Sequence, residues 1–209
     1  MTLSYNRIAG KDTGRLAALS DGVFAVAMTL LVLDIRTPAP GAIHSEAELG
    51  RALIALAPRA VMYLMSFLTL GIFWVGQQTQ LNNLERADRN LAWIHLAFLA
   101  LVAVLPFSTS LLAEFVTYRI ALMAYWLNIL ALGTALYAAW SYAVRAGLAT
   151  EAGQAELNTH IRRRIVVAQG LYAFGAALCL INTYWSLGFI VLVQLNYALA
   201  PRLPILRSI

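Results

Sequence analysis

The stretch Arg15-Leu-Ala-Ala-Leu19-Ser20-Asp21-Gly22-Val-Phe24-Ala-Val26-Ala-Met-Thr29-Leu30-Leu-Val-Leu33-Asp34-Ile35 decides the fold. From Gly22 to Leu33 its only polar side chain is Thr29, yet a carboxylate, Asp21, sits inside the run. About 20 mostly apolar residues suffice for a helix to cross roughly 30 Å of hydrocarbon, so the run reads as a membrane span. Composition agrees. The chain has 209 residues, 61% hydrophobic and 12% charged, with a mean hydropathy of +0.71. Soluble domains average about 45–50% apolar and about 25% charged. A secretory leader would also place basic residues, here Lys11 and Arg15, before an apolar stretch. The length of this run and the internal Asp21 oppose that reading.

Working outward, five further apolar runs follow. The expected spans are about 15–35, 52–76, 91–113, 120–144, 165–181 and 184–200. The fold class is therefore an all-α integral membrane protein, with one six-helix domain over residues 1–209. Six spans with short loops leave no room for a soluble catalytic domain. Pro58 is expected to kink the second span, and Arg59 to snorkel to the nearer interface. Pro106 is expected to bend the third. Asn182 and Thr183 leave only a tight turn between the last two. The spans do not divide into the similar halves of an inverted-repeat transporter.

Basic residues set the expected orientation. Arg7, Lys11, Arg15, Arg86, Arg89, Arg145, Arg162, Arg163, Arg164, Arg202 and Arg207 fall on one side, eleven in all, against four (Arg36, Arg51, Arg59, Arg119) on the other. Cytoplasmic loops carry the excess of Lys and Arg, so both termini are expected in the cytoplasm and the chain in the cell membrane. The run Arg162-Arg163-Arg164, read as a loop, serves as a topology anchor or as a contact for lipid head groups.

An enzyme lacks its parts here. His44, His95 and His160 are scattered, and no H-E-x-x-H, G-x-S-x-G or Gly-rich phosphate loop occurs. Cys179 stands alone, so neither a disulfide framework nor a multi-cysteine metal site is expected. No cofactor and no nucleic-acid partner are implied; the basic residues form no groove with interleaved aromatics. The T-V-G-Y-G filter of ordinary potassium channels is also missing.

Intramembrane polar groups are the remaining candidates. Asn128, Gln169, Gln194 and Asn196 read as interhelical glue, and His95 as an interhelical bond. Glu114 beside Arg119 reads as interfacial. Arg15, Ser20 and Asp21 are close enough for one network at the cytoplasmic end of the first span, although six residues is a poor helical spacing for an Arg15–Asp21 pair. Val26, Leu30 and Leu33 follow i, i+4, i+7 and share a face. By periodicity alone that face packs on other helices or lines a path.

The motif Arg15-x-x-x-Leu19-Ser20-Asp21-Gly22 and the apolar run after it resemble the R-x-x-x-F-S-D-G first-helix signature of the transmembrane protein 175 family. A second block agrees: Phe73-Trp74, Asp88, Leu91-Ala-Trp93-Ile-His95-Leu, and Leu105-Pro106-Phe107-Ser108-Thr109-Ser110-Leu111-Leu112. The resemblance covers about residues 15–115; beyond that only the number of spans matches. Leu19 replaces the signature Phe. Gln77-Gln78 stands where many relatives have a His pair, and His95 where an Asn is common. These departures bear on pH or metal responses, not on the first helix.

That family comprises the lysosomal potassium channel of animals and its bacterial relatives. The resemblance implies a homotetramer of six-helix subunits whose first helices line a pore. It also implies a constriction of apolar side chains instead of carbonyls, and passage of potassium over sodium. Carried over, the constriction is Val26, Leu30 and Leu33, with Thr29 adding a hydroxyl, and Arg15, Ser20, Asp21 and Gly22 form the signature network. Trp74, Trp93 and His95 are expected as interhelical polar support. Rings at the three positions would be spaced by about 6 Å and about 4.5 Å along an α-helix. The implied partners are potassium ions, further copies of the chain and membrane lipids. A proton-coupled or other solute transporter using Asp21, and a non-conducting membrane scaffold, stay open on the residues alone.

Overall fold

The structure is a computed structural model that describes residues 12–151 and 157–199. Arg7, Lys11, Arg202 and Arg207, counted above for orientation, and Ala200, the expected end of the last span, lie outside the described residues.

Everything described is helical or connecting. Helix α1 is Thr13–Leu30, started by the Asp12 side chain, which accepts from the Arg15 amide at 3.1 Å. It tightens into a 3-10 turn over Leu31–Asp34. The short exposed α2, Glu46–Ala55, opens on Ser45, whose hydroxyl accepts from the Glu48 amide at 3.2 Å, while the Glu48 carboxylate accepts from the His44 amide at 2.7 Å. Then come α3, Ala57–Leu81; α4, Arg89–Glu114; α5, Arg119–Arg145; α6, Asn158–Ala177; and α7, Thr183–Leu199.

Two expectations are corrected. The second span runs over Ala57–Leu81 rather than 52–76, because the chain breaks at Leu56 and Pro58 sits in the first turn of α3. A first-turn proline loses no intrahelical bond, so Pro58 starts a helix instead of kinking one. The fifth span begins at Asn158 rather than 165, so His160 and the arginine run Arg162–Arg164 are helical. Among the described residues, five helices are long and apolar enough to cross a membrane by length and composition. The last helix, α7, has 17 residues, about 26 Å at 1.5 Å per residue.

The first and last spans are joined to the rest by packing. Phe24 of α1 meets Phe98 of α4 at 6.1 Å between ring centres, and Phe73 of α3 meets the same ring at 6.3 Å. Met65, Leu70, Val102, Leu105, Leu122, Ile129 and Leu132 complete this core. Pro106 lies within α4. A polar layer crosses the core. Thr109 donates to Ser66 at 2.7 Å, Ser66 donates to Tyr125 at 3.3 Å, and Gln194 donates to Thr69 at 2.7 Å. In a medium without water such groups are tolerated because they satisfy one another. Gly175 lets α6 and α7 close tightly; an added Cβ would stand 3.0 Å from both Ile190 and Phe189.

One end of the bundle is tied by backbone. Gly147, with φ of 63°, ends α5, and the Leu148 amide donates back to the Ala143 carbonyl at 2.9 Å. This six-to-one bond across a left-handed glycine is a Schellman closure. The freed strand pairs with the α3–α4 loop: Glu85 donates to Leu148 at 2.9 Å and Thr150 to Asn83 at 3.0 Å. Asp88 caps α4 through the Leu91 amide at 2.8 Å and accepts from the Tyr142 hydroxyl at 2.6 Å. At the opposite end Arg59 and Glu114 form an ion pair at 2.6 Å, and Arg119 donates to the Leu180 carbonyl at 3.0 Å. Glu114, read only as interfacial beside Arg119, thus has its partner on another helix.

Gly133 tests this packing. A Cβ there would overlap the Gln169 side chain, which donates to the Ile129 carbonyl at 3.4 Å. Gly133→Ala should destabilise the protein by about 1–3 kcal/mol through overpacking. Thermal unfolding in detergent should show that loss, and Gly133→Ala should become nearly silent in a Gln169→Ala background.

Candidate pore helix and its anchor

Helix α1 has two unlike faces. Ser20, Phe24, Ala27 and Leu31 are buried within the subunit. The spacing i, i+4, i+7, i+11 is that of one helical stripe. On other faces Val26, Leu30 and Leu33 are 58%, 44% and 68% exposed. Gly22 and Thr29 are exposed too. A groove of about 490 Å³ runs beside the helix, lined by the small residues Ala18, Gly22, Ala27 and Ala103 and by Val26 and Leu30.

The expected ring spacing changes at the end of the helix. Leu33 belongs to the 3-10 turn, not to an α-helix. Side chains at i and i+3 eclipse in a 3-10 helix, and three steps rise about 6 Å, so Leu33 stacks over Leu30 rather than turning about 60° aside. The Thr29 hydroxyl donates to the Val26 carbonyl at 2.8 Å, which commits its proton and leaves its oxygen lone pairs.

The signature residues reach α3 rather than one another. The Ser20 hydroxyl donates to the Leu16 carbonyl at 2.8 Å and accepts from the Gln77 amide at 2.7 Å. Asp21 Oδ1 accepts from the Trp74 indole at 2.8 Å and from the Gln78 amide at 2.9 Å. Trp74, Gln77 and Gln78 lie at i, i+3 and i+4 and so present one face of α3. Among the described residues Asp21 therefore has two donors and no cation. Hydrogen bonds to an ionised carboxylate are about twice as strong as neutral ones.

Arg15 is not part of this arrangement. Its side chain is exposed and makes no bond to another described residue; only its backbone amide is used, by Asp12. Trp93 is exposed without a hydrogen bond among the described residues, so it gives no interhelical support. His95 is buried against the Phe98 ring, and neither ring nitrogen has a partner among the described residues, so it makes no interhelical bond. Trp74 is the one expected support residue that the fold brings to the anchor. In the sequence Gln77 and Gln78 stand only as substitutes for a His pair. Their part in holding α1 had a signal: two adjacent amide donors, one turn after a Trp, in a span that must face an intramembrane carboxylate. Among the described residues no cluster of three or more metal-ligating side chains occurs.

Comparison with known proteins follows the same residues. A profile of the family described as endosomal/lysosomal potassium channel TMEM175 matches residues 15–106, the part holding α1, α3 and most of α4. A potassium channel of Chamaesiphon minutus is 32% identical over 193 residues, covering 90% of this chain and 94% of its own length. This chain belongs to the TMEM175 family. A potassium channel of Streptomyces collinus is 38% identical over 140 residues, 65% of this chain and 66% of that protein. The fold agrees beyond the signature. A crystal structure described as a lysosomal potassium-selective channel TMEM175 homologue from Chamaesiphon minutus superposes with a TM-score of 0.78 at 30% identity, covering 91% of this chain and 98% of that one. The TMEM175 description is that of an ion channel, not an enzyme.

The anchor should behave as a coupled unit. Trp74→Phe removes one donor to Asp21 and should lower stability by about 1 kcal/mol, reduced by the partial exposure of the pair. In thermal unfolding, Trp74→Phe and Asp21→Asn should be non-additive. Trp93→Phe, which breaks no such bond, should add independently to either.

Proposed function

We propose that the chain is one subunit of a homotetrameric, potassium-selective channel of the cell membrane, conducting passively through a central path lined by α1. The observation that carries this reading is the division of α1. One stripe is fastened to its own subunit by Ser20, Phe24, Ala27 and Leu31, while Val26, Leu30 and Leu33 stand outward as an apolar face that the subunit does not cover. The small-residue groove beside it suits a neighbouring copy. The names of the Streptomyces and Chamaesiphon relatives support potassium as the conducted ion.

The mechanism follows from the chemistry of that face. Four copies would set rings of Val26, Leu30 and Leu33 around an axis. Aliphatic side chains cannot replace lost ion hydration, so a narrow ring acts by dewetting and closes the path without a plug. A small widening admits a partly hydrated ion. Potassium holds its water less tightly than sodium and passes with the smaller penalty, so selectivity depends on ring width rather than charge. Asp21 sets the position of α1 through Trp74 and Gln78 and does not coordinate ions in the ring.

In this reading α7 makes the sixth crossing and both termini are cytoplasmic. The described basic residues support the orientation. Arg15, Arg86, Arg89, Arg145 and Arg162–Arg164, seven in all, lie toward the Gly147 end, and Arg36, Arg51, Arg59 and Arg119 toward the other.

Proteoliposome flux tests the function. Potassium should move down its gradient without a proton gradient; flux that requires protons would mean a transporter, and no flux a scaffold. Val26→Asn or Leu30→Ala should raise conductance and admit sodium, with the tetrameric mass unchanged. Leu31→Ile, on the buried stripe, should leave the reversal potential alone.

Topology has its own test. A cysteine replacing the exposed Thr159 should be labelled from the cytoplasmic side only, with the buried native Cys179 silent.

A further inference from the structure

Away from α1, a cleft of about 220 Å³ opens between α3, α5, α6 and α7. Its walls are apolar, with Ile72, Phe73, Leu136 and Ala168 among them, and His160 and Arg164 are part of its lining. Those two are four residues apart on α6 and share a face. The Arg164 guanidinium sits 5.7 Å over the Tyr197 ring, and Arg162 sits 5.5 Å over Tyr137. Stacking fixes a guanidinium without neutralising it. Among the described residues, Arg162, Arg163 and Arg164 pair with no carboxylate, and the Arg162 Nε is buried without a partner. The cleft thus joins Arg164, which has no carboxylate partner among the described residues, to an apolar wall.

Its interior holds unused polar groups as well. The Tyr197 hydroxyl and the Gln169 Oε1 are buried without partners. Tyr172, 2% exposed, closes the inner end of the cleft. Gln169 is five residues beyond Arg164 on α6, about 7.5 Å deeper along the axis. A buried hydroxyl calls for an acceptor. A bare acyl chain offers none.

We infer that this cleft seats one anionic glycerophospholipid of the bilayer. Its phosphate meets Arg164 and His160, an ester carbonyl accepts from Tyr197, and one acyl chain lies along Ile72 and Ala168. The inference goes beyond the conduction reading and uses none of the α1 residues. It requires only that the chain resides in a membrane.

The test uses the purified, delipidated full chain offered dioleoyl phosphatidylglycerol or dioleoyl phosphatidylcholine at equal concentration, with retained lipid counted by native mass spectrometry. Phosphatidylglycerol should be retained about tenfold better, the scale of one or two added cation contacts. Arg164→Gln should abolish that preference. Arg145→Gln, at the same end but outside the cleft, should preserve it. Tyr197→Phe keeps the ring under the guanidinium and removes only the hydroxyl, so it should weaken retention a few-fold without loss of fold. Ala168→Phe should fill the cleft and expel the lipid with all three arginines in place, and Ala168→Leu should do so in part. Inorganic phosphate should not displace the bound lipid. Equal retention of the two lipids overturns the proposal, as does a preference that survives Arg164→Gln or both Ala168 variants. Displacement by phosphate alone would show a head-group contact without a seat, and overturns it too.

Discussion

The two bonds that Asp21 accepts from Trp74 and Gln78, with the Gln77–Ser20 bond beside them, fix how α1 is turned. A lone apolar helix in lipid has no preferred rotation, because every face is equally content against hydrocarbon. Packing alone would allow the helix to roll. Hydrogen bonds between named atoms do not. Once Ser20 and Asp21 are held by α3, the register of every residue above them follows. Phe24, Ala27 and Leu31 go inward, and Val26, Leu30 and Leu33 go out.

The rest of the subunit resists the same roll from the other side. Phe98 takes both Phe24 and Phe73 against its ring, so α1 and α3 share one contact on α4. Deeper in, the layer of Ser66, Thr69, Thr109, Tyr125 and Gln194 ties α3, α4, α5 and α7 by hydroxyl and amide bonds. Interhelical hydrogen bonds of this kind contribute modestly one by one, about 0.6 kcal/mol on average in the measured cases. Their value here is directional: each accepts a single arrangement of neighbours. A rigid outer scaffold and a polar pin on α1 divide the work between them.

Much of this was legible in the chain itself, and the misses have physical causes. Long apolar runs announce spans because nothing shorter crosses hydrocarbon. Pro58 misleads because a proline reads the same in a first turn as in a helix interior until the start of the helix is known. That start did have a mark, since Ser45 and Glu48 have the spacing of a capping box and set α2 apart. The Arg162–Arg164 run looks like a loop by charge, yet a helix carries it because guanidinium groups lie over tyrosine rings. The Arg59–Glu114 and Trp74–Asp21 partnerships span more than fifty residues of sequence. No periodicity within one helix can reveal which other helix it faces. The signature located α1 and its anchor, but the donors opposite the anchor belong to the fold. The same limit explains Arg15, which the motif contains and the network leaves out.

The backbone tie between the two loops at the Gly147 end has a consequence for biosynthesis. Leu84 and Ala149 face each other across an isolated antiparallel bridge, 65 residues apart in the chain. A ribosome adding about 5–20 residues per second delivers the second partner roughly 3 to 13 s after the first. During that interval α4 and α5 are themselves being made, so the α3–α4 loop stays unfastened until Leu148 is present to accept from Glu85. The early hairpin therefore waits on a later one, and the order in which the helices leave the ribosome becomes part of how the bundle is closed.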